Sequence, residues 1–544
     1  MFDEISHIDP NLMPDEYSRS IVILLLNNIE NQQKLIVELK EQIQELKDEI
    51  SKLKGEQGKP KFPSKPKIRD VSSEKESKPK RNKDQKKTPK KPFIEIDKEI
   101  LCQLEDDNLP SDIIFKGYDT VIQQDIIFKR QNTCYKVEIW WSPSQNKTYR
   151  ANATGYEGYF GNSLKSFLLV MHNYADVTRS KLLGILDCLK IVMSAGSLQN
   201  ILIGHKDTFL TEKRDLLKAG LNYSFTQTDI TGASVAGETW RTHIICTDKF
   251  VTYTTLEGKS RRHVLYALQG APENGLMLSY NEVTLKYLEK FKISKAHKQQ
   301  LVEIFSDQPE VNELEFQKKI KAEMPDLASK PTTFNWVCDA FALGYYYTQQ
   351  EFPTVNILTC DDAPEYIHVG KKRSLCWIHD GRYYNKLTPF VEFHKSISDN
   401  FKESYWTFYH SLIQYKRTPC EEQRQELEKQ FDELFIPETE YYDLDKTIKR
   451  TCKNKNELLV VLDHPEVPLH NNQSELAARQ QVRKRDICLH TMTRLGTALQ
   501  DAYMSIIHTC KLHGKNPFSY IYDRISKTNS YYLPNVVEYS INSP

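Results

Sequence analysis

Three widely separated acidic residues are the candidates for chemistry in this chain. Asp229 follows an apolar run that predicts a strand over 223–228, and Asp361 follows a second predicted strand over 355–360. Glu475 falls in the first turn of a predicted helix, so each carboxylate is placed to point at a common cleft. Carboxylates suit hard cations such as Mg²⁺, and two ions about 3.5 to 4 Å apart can clamp the oxygens of a phosphoryl displacement. The pattern makes all three acids candidates for catalytic, metal-binding roles.

Each of these acids also has a purely structural interpretation. An Asp after a strand is often only a turn former. Asn472 and Glu475 have capping-box spacing, in which Glu475 would merely reach back to the Asn472 amide. Spacing alone therefore leaves a structural role open for each acid.

The residues around Glu475 resemble a known family. The run 471–479, Asn-Asn-Gln-Ser-Glu-Leu-Ala-Ala-Arg, is similar to the Asn-Asn-x-Ala-Glu-Arg-Ala-Leu-Arg motif of transposases of the insertion sequence 66 family. The register continues without a gap through Arg485 and Gly496 to the run 510–520, which is similar to that family's closing Ala-Lys-Leu-Asn-Gly-x-x-Pro-x-x-Tyr. The chain is thereby identified as a divergent relative of these DDE transposases.

Shorter matches lie upstream. Residues 376–382 resemble the family's Cys-Trp-Ala-His-x-Arg-Arg segment, and the strand end at Asp361 is similar to Thr-Asp-Gly-Tyr, with Tyr366 as a candidate for its tyrosine. The run Thr228-Asp229-Ile230-Thr231 corresponds to the family's Asp-Glu-Thr. These matches put Asp229, Asp361 and Glu475 in the order that the family requires.

The resemblance implies a fold, a reaction and a partner. The fold would be a ribonuclease-H-like (retroviral-integrase-like) α/β core, and the cofactor two Mg²⁺ or Mn²⁺ ions. The reaction would be hydrolysis at the element's end, followed by attack of the freed 3′-hydroxyl on target DNA, both in-line displacements at phosphorus. The DNA partners would be terminal inverted repeats and target DNA of a bacterial insertion sequence.

Several basic residues are candidates for contacts with that DNA. Arg479 and Arg483 lie one and two helical turns after Glu475 and share its face, although an i, i+4 ion pair with Glu475 is the structural alternative for Arg479. Arg485, Arg382 and His379 complete the set. His379 and Cys376 alone do not make a zinc site, so a structural or phosphate-positioning role is favoured for His379.

The chain also departs from the family pattern. Ile230 replaces a Glu, Asp362 and Ala363 replace Gly-Tyr, Gly381 replaces an Arg, and Leu476 replaces the Arg after the catalytic Glu. The Cys-rich segment near the family's N-terminus is missing, with Cys134 alone in that stretch. The adjacent Asp362 leaves open which aspartate binds metal, although the strand boundary favours Asp361.

Five segments are predicted along the 544 residues. Residues 1–58 carry an N-terminal helix and coiled coil, with isoleucines 29, 36, 43 and 50 at one heptad position and leucines 39, 46 and 53 at the other. They predict self-association, and the alternative is a helix packed on its own protein. The other segments are a basic disordered linker at 59–92, a mainly helical DNA-binding domain at 93–220, a catalytic domain at 221–511 and a C-terminal helical tail at 512–544.

Within the catalytic domain, strands are predicted at 223–228, 243–255 and 262–268 as an antiparallel meander. Helical insertions are predicted at about 276–354 and 385–464. A net charge of +1 excludes nothing about nucleic acid. The chain has no signal-peptide pattern and no apolar run of membrane-spanning length, so a cytoplasmic location without membrane contact is expected.

These observations predict a bacterial DDE transposase that acts as a homodimer or higher oligomer and leave the need for accessory transposition proteins open. Two alternatives remain: a transposase-derived DNA-binding protein whose catalysis has lapsed, and a coiled-coil scaffold without a role on DNA. The intact acids at 229, 361 and 475 argue against the first. Salt-sensitive DNA binding would argue against the second.

Overall fold

The N-terminal helix is the longest element of the computed structural model, which describes residues 7–53, 95–102, 116–126, 129–528 and 530–542. After a short 3-10 turn at Pro10–Leu12, helix α1 runs from Glu16 to Leu53. Its first half packs on the rest of the chain and buries Leu26. In its second half Leu39, Ile43 and Leu46 are 50–58% exposed. The predicted helix is confirmed, and the predicted linker at 59–92 lies outside the described residues.

A small hairpin and four helices precede the central sheet. Strands β1 (Ile139–Ser142) and β2 (Lys147–Arg150) pair antiparallel. The helices are α2 (Asn162–Asn173), α3 (Arg179–Cys188), α4 (Ala195–Leu202) and α5 (Lys206–Gly220). Helix α4 begins at an N-cap, where the Ser194 hydroxyl accepts from the Ser197 amide at 3.0 Å.

Three antiparallel strands and a helix follow: β3 (Phe225–Val235), β4 (Glu238–Cys246), β5 (Val251–Leu256) and α6 (Arg261–Leu268). The strand predicted at 223–228 is longer than expected, because a tight turn at Ala236 and Gly237, both with positive φ, keeps β3 and β4 paired to Val235. The predicted strand at 243–255 is two strands. The strand predicted at 262–268 is wrong, since Val264, Leu265 and Leu268 have helical spacing and are buried on one side of α6.

The first predicted insertion is helical, with one short two-stranded antiparallel sheet. Its elements are β6 (Met277–Ser279), α7 (Glu282–Lys290), α8 (Lys295–Phe305), β7 (Glu310–Asn312), α9 (Glu313–Glu323), α10 (Pro325–Ala328) and α11 (Pro331–Thr348). Phe305, Phe316 and Phe341 form the centre of its core, with ring centroids 4.7–5.1 Å apart.

The chain then returns to the sheet with β8 (Ile357–Cys360) and β9 (Lys372–Leu375), separated by a 3-10 turn at Pro364–Tyr366. Helix α12 (Trp377–Asn385) follows β9 directly. The second predicted insertion is entirely helical among its described elements: α13 (Glu392–Arg417), α14 (Glu421–Leu434), α15 (Tyr442–Lys453), α16 (Lys455–Leu458) and α17 (Val460–Asp463).

Four helices end the described chain: α18 (Asn472–Cys488), α19 (Arg494–Leu512), α20 (Pro517–Ser526) and α21 (Leu533–Asn542). Helices α2 and α5 pack against α19, α20 and α21, so the helices before the sheet share a core with those after it. The predicted boundary between a DNA-binding domain and a catalytic domain at residue 220 stays a prediction.

The central sheet is mixed and has the spatial order β5-β4-β3-β8-β9. β3 pairs antiparallel with β4, and β4 pairs antiparallel with β5, whereas β8 and β9 continue the sheet parallel to β3. The fold is therefore a mixed α/β architecture with helical insertions, as predicted. No helix in the described ranges is long and apolar enough to cross a membrane.

Candidate active site

The register of the sheet places the two predicted catalytic aspartates side by side. Gln227 on β3 is aligned with Thr359 on the parallel neighbour β8. Two residues further along each strand, Asp229 and Asp361 are therefore level with each other, and each is on the same face as the aligned residue before it. Asp229 lies inside β3 rather than after it, which corrects the predicted strand end.

The third acid is brought in by the first turn of α18, which docks on β3. The Gln473 amide donates to the Gln227 side-chain oxygen at 3.1 Å, and the Ser474 hydroxyl donates to the Thr228 carbonyl at 3.3 Å. Further along the helix, Ala477 and Ala478 pack in a buried cluster of sheet residues. Because alanine side chains are small, α18 can approach the sheet closely. The hydrogen bonds of its first turn and this packing together fix the position of Glu475.

The three carboxylates interact electrostatically. Burial, together with the charges of Asp361 and Glu475, raises the pKa of Asp229 to about 7. The Ile230 amide, 2.8 Å from Asp229 Oδ1, and Arg382 oppose this rise of the pKa. In the described part of the chain, no three His, Cys, Asp or Glu side chains are grouped closely enough to ligate one ion.

Glu475 faces two residues of α12 from the Cys-Trp-x-His segment. Its carboxylate lies 3.4 Å from Arg382 Nη2 and 3.5 Å from His379 Nε2. Helix α18 has Asn471 rather than Asn472 as its N-cap, and the Asn472 amide donates to His470 Nδ1 at 3.4 Å, whereas a capping box would bring it to Glu475. Burial and the charge of Arg382 lower the pKa of His379, which favours the neutral imidazole.

The two adjacent aspartates after β8 have different surroundings. Asp361 Oδ1 accepts from the Ala363 amide at 3.2 Å, the local bond expected of a turn-forming aspartate. Asp362 is instead bound by Arg450 at 2.8 Å and Asn454 at 3.1 Å, with Arg373 at 3.6 Å. The surroundings of Asp362 are those of a structural ion pair, and Asp361 is the aspartate that is level with Asp229.

Tyr366, the candidate for the family's motif tyrosine, is buried close to the same aspartates. Burial raises its pKa well above the ordinary value, and the charges of Asp229 and Asp361 add to the rise. The phenol is therefore neutral and can serve only as a packing or hydrogen-bonding group.

The remaining predicted DNA-binding residues lie along α18. Arg479 and Arg483 are exposed. Arg485 Nη1 donates to the Gly232 carbonyl of β3 at 2.7 Å, so this guanidinium already holds helix and sheet together. The structure thus brings His379 and Arg382 to the carboxylates, whereas Arg485 contacts the far end of β3.

Two neighbours of the site were missed by the sequence analysis. Arg450 comes from α15, packs on the Tyr383 ring with its guanidinium carbon 3.3 Å from the centroid, and lies 3.7 Å from Asp380. Asp380 is 5% exposed, and burial raises its pKa to about 6. Arg450 belongs to a Lys- and Arg-rich stretch at 446–455, where no local pattern distinguishes it from its neighbours.

The departure at Gly381 has a steric cause. A Cβ at this position would lie 2.9 Å from the Trp406 indole and 3.1 Å from the Tyr405 ring, both on α13. The second insertion therefore occupies the space in which the family motif has an arginine.

Comparison with known proteins supports the predicted family. Residues 282–498 match the family model described as "Transposase IS66 family". This segment contains Asp361 and Glu475, and Asp229 lies before it. Over 313 residues the chain is 28% identical to the "Uncharacterized protein y4jO" of Sinorhizobium fredii (strain NBRC 101917 / NGR234), which covers 57% of this chain and 94% of that protein. The family match points to a transposase-related function, and it confirms the predicted resemblance of this chain to IS66-family transposases over residues 282–498.

Proposed function

We propose that this protein is a DDE transposase of a bacterial insertion sequence that cleaves the ends of its element and joins the 3′-hydroxyl to target DNA. The supporting observation is the convergence of three acids from distant parts of the chain. Asp229 lies inside β3, Asp361 follows the neighbouring β8, and Glu475 lies on the helix docked on β3. The charges of the other two act on Asp229, as expected of one site.

The sheet supports the ribonuclease-H-like core that the family implies. Three antiparallel strands continue into two parallel strands, and Asp229 and Asp361 lie on the two adjacent strands where the direction of pairing changes. The helical insertions leave this sheet before β8 and after α12 and return to it, so they extend the core without interrupting its pairing.

The residues present suit a pair of divalent cations. Three carboxylates, two of which raise the pKa of Asp229, are a donor set that Mg²⁺ or Mn²⁺ would stabilise in the charged form. Asp229, Asp361 and Glu475 would hold the ions, and bound metal would supply Lewis-acid stabilisation of the attacking and leaving oxygens at phosphorus. The side chains must close in further to act as ligands together, since no such group is formed among the described residues.

The chain's own basic residues would orient the DNA. Arg382 and His379 lie against Glu475, and a scissile phosphate beside the carboxylates would come within their reach. The Arg382 guanidinium can donate two hydrogen bonds to one phosphate. The neutral imidazole of His379 can donate only one hydrogen bond to it. Exposed Arg479 and Arg483 would extend the contact along the DNA backbone, and Arg485 would support β3.

Assembly would use the second half of α1. The described heptad residues there are exposed on a helix whose first half is already packed on the chain. Isoleucine and leucine at the two heptad positions favour a parallel two-stranded coiled coil with a second copy. A dimer, which would hold two element ends together, is therefore part of the proposal, together with DNA binding by the residues before the sheet.

The test is cleavage and strand transfer on a duplex carrying one end of the element, with Mg²⁺ or Mn²⁺. We expect Asp229→Ala, Asp361→Ala and Glu475→Ala each to lower the rate by at least roughly a hundredfold while DNA binding is retained, because each acid serves as a metal ligand. Asp399→Ala, an exposed acid of α13, is the matched control and should cleave like the wild type. Equal cleavage by all four variants would overturn the assignment, and DNA binding without any metal-dependent cleavage would favour a lapsed enzyme.

A further inference from the structure

An open cleft adjoins the candidate active site on the side of the second insertion. It begins at Asp361 and is bordered by α12 and α15; the lining residues that matter here are Asp361, His379, Arg382, Tyr383, Lys386 and Arg450. Asp361 and Arg382 belong to both the cleft and the carboxylate site. A DNA strand whose scissile phosphate lies at the carboxylates would therefore have an adjoining nucleotide at the mouth of this cleft.

The wall of the cleft is an exposed aromatic ring held by a fixed cation. Tyr383 is 41% exposed, and the Arg450 guanidinium carbon lies 3.3 Å from its ring centroid. Arg450 is held in turn by Asp362 at 2.8 Å and lies 3.7 Å from Asp380. These contacts fix the orientation of the ring, so it offers a preorganised surface at little entropic cost.

Two cations of the cleft lie on α12 and at its C-cap: Arg382, whose guanidinium is 3.4 Å from the Glu475 carboxylate, and Lys386. Arg382 and Lys386 are one helical turn apart, so they project from one side of the helix. Lys386 forms no ion pair with any carboxylate of the described residues, and its ammonium lies 5.2 Å from the Tyr383 ring centroid. The acids Asp362 and Asp380 both lie against Arg450, which offsets their charge.

An aromatic platform beside two cations matches one nucleotide of a single strand, with its base on the ring and its phosphate on the cations. A base inside a duplex cannot reach such a ring, because both of its faces are stacked. We propose that this cleft binds one unpaired nucleotide of the DNA strand next to the scissile phosphate, with its base on Tyr383 and its phosphate between Arg382 and Lys386. The proposal rests on the proposed function, to which it adds a strand-opening step at the element's end.

Photochemical cross-linking tests the base contact without requiring cleavage. The full-length protein is irradiated with a short duplex that contains a single unpaired 5-iododeoxyuridine, a probe that couples to aromatic side chains stacked on it. We expect the label on the tryptic peptide 383–386, retention of the label in Tyr383→Phe, and a loss of roughly tenfold in Tyr383→Leu. Tyr17→Leu, which removes an exposed tyrosine of α1, is the matched control and should label like the wild type.

The same samples separate this proposal from the proposed function. Labelling elsewhere that is unchanged in Tyr383→Leu, or no labelling at all, overturns the nucleotide site. If either result is accompanied by metal-dependent cleavage, the proposed transposase function is supported and the nucleotide site in the cleft is rejected. If Tyr383 is labelled but the protein cleaves no element end with any divalent metal, the nucleotide site is supported and the proposed transposase function is rejected. If an abasic unpaired site binds as tightly as the base-containing probe, only the phosphate contact exists, and the proposal fails.

Discussion

At the scale of single residues, Asp361 and Asp362 are chemically identical neighbours with different surroundings. Asp362 is 27% exposed and accepts from Arg450 and Asn454, whereas Asp361 faces Asp229 across the strand pair. Their roles should therefore separate on mutation.

We expect Asp362→Ala to lower the free energy of unfolding by about 1–2 kcal/mol, since it removes one partner of a partly buried ion pair, and to keep measurable cleavage. Asp361→Ala should unfold like the wild type and lose cleavage. Urea unfolding and the cleavage assay measure the two effects. The opposite pattern would make Asp362 the metal ligand.

Asp380 should make stability depend on pH. Burial and the charge of Asp362 raise its pKa to about 6, against the opposing effects of Thr451, Arg450 and Tyr405. Because the folded pKa lies above the unfolded value of about 3.9, the folded state binds the proton more tightly. This contribution to stability is full below about pH 4, is lost as the pH rises to about 6, and is constant above that.

Asp380→Asn removes the titrating group. The stability of the wild type relative to this variant should therefore fall by about 2–3 kcal/mol between about pH 4 and pH 7, as measured by urea unfolding of both proteins. A difference that does not change with pH would show that Asp380 is charged throughout.

At the scale of elements, the contact between α12 and α13 explains Gly381. An added Cβ meets the Trp406 indole at 2.9 Å, and overpacking of this kind costs about 1–3 kcal/mol. We therefore expect Gly381→Ala to destabilise the protein in spite of the better helix propensity of alanine.

In a Trp406→Leu background only the Tyr405 ring, 3.1 Å from the added Cβ, still limits the space, so the same substitution should destabilise less than in the wild type. Thermal unfolding of the four proteins of this double-mutant cycle gives the coupling. If the two effects simply add, Trp406 does not limit the space at Gly381.

The buried carboxylate of Glu30 attaches α1 to the start of α13, and its removal gives a second prediction at this scale. Glu30 is 2% exposed and accepts from the Phe390 and Val391 amides at 2.7 and 3.2 Å, just before α13, with His394 Nδ1 at 3.4 Å. A buried carboxylate at a helix N-terminus stabilises both partners.

Glu30→Ala leaves these amides unsatisfied, so we expect a loss of about 2 kcal/mol and faster hydrogen exchange at 390–394. Glu38→Ala, on the exposed half of α1, is the control and should leave this exchange unchanged. Unaltered exchange in Glu30→Ala would mean that α13 keeps its start without α1.

The sequence predicted best those features that depend on residues close to one another in the chain. The strand before Asp361, the helix that begins at Asn472 and the helical insertions follow from apolar spacing and were predicted. The end of β3 and the helix at 261–268 were not, because short apolar runs fit a strand as well as a helix. Arg450 and Asp362 are 88 residues apart and Glu30 and Phe390 are 360, so no local pattern could pair them. The catalytic roles of the three acids stay predictions.

At the scale of the whole molecule, the exposed half of α1 should determine the oligomeric state. Ile43 and Leu46 are 50% and 58% exposed at adjacent heptad positions. Ile43→Asp combined with Leu46→Asp would bury charge in a coiled-coil interface, and we expect this variant to sediment as a monomer. Glu41→Asp combined with Glu45→Asp, on exposed positions outside these two, is the control. An unchanged mass would assign α1 to packing within one copy.

The anchor also has a geometric consequence. Arg19 is bound to Glu440 at 2.6 and 2.7 Å, and Lys34 pairs with Asp443, so the part of α1 before the free heptads is fixed to the second insertion at several points along its length. Two parallel copies of such a helix are related by a rotation of half a turn about the axis between them. Each cleft would then lie on the opposite side of that axis at the same height. Two DNA ends bound in both clefts would be related by the same half-turn, so their duplexes would leave the dimer on opposite sides of the axis.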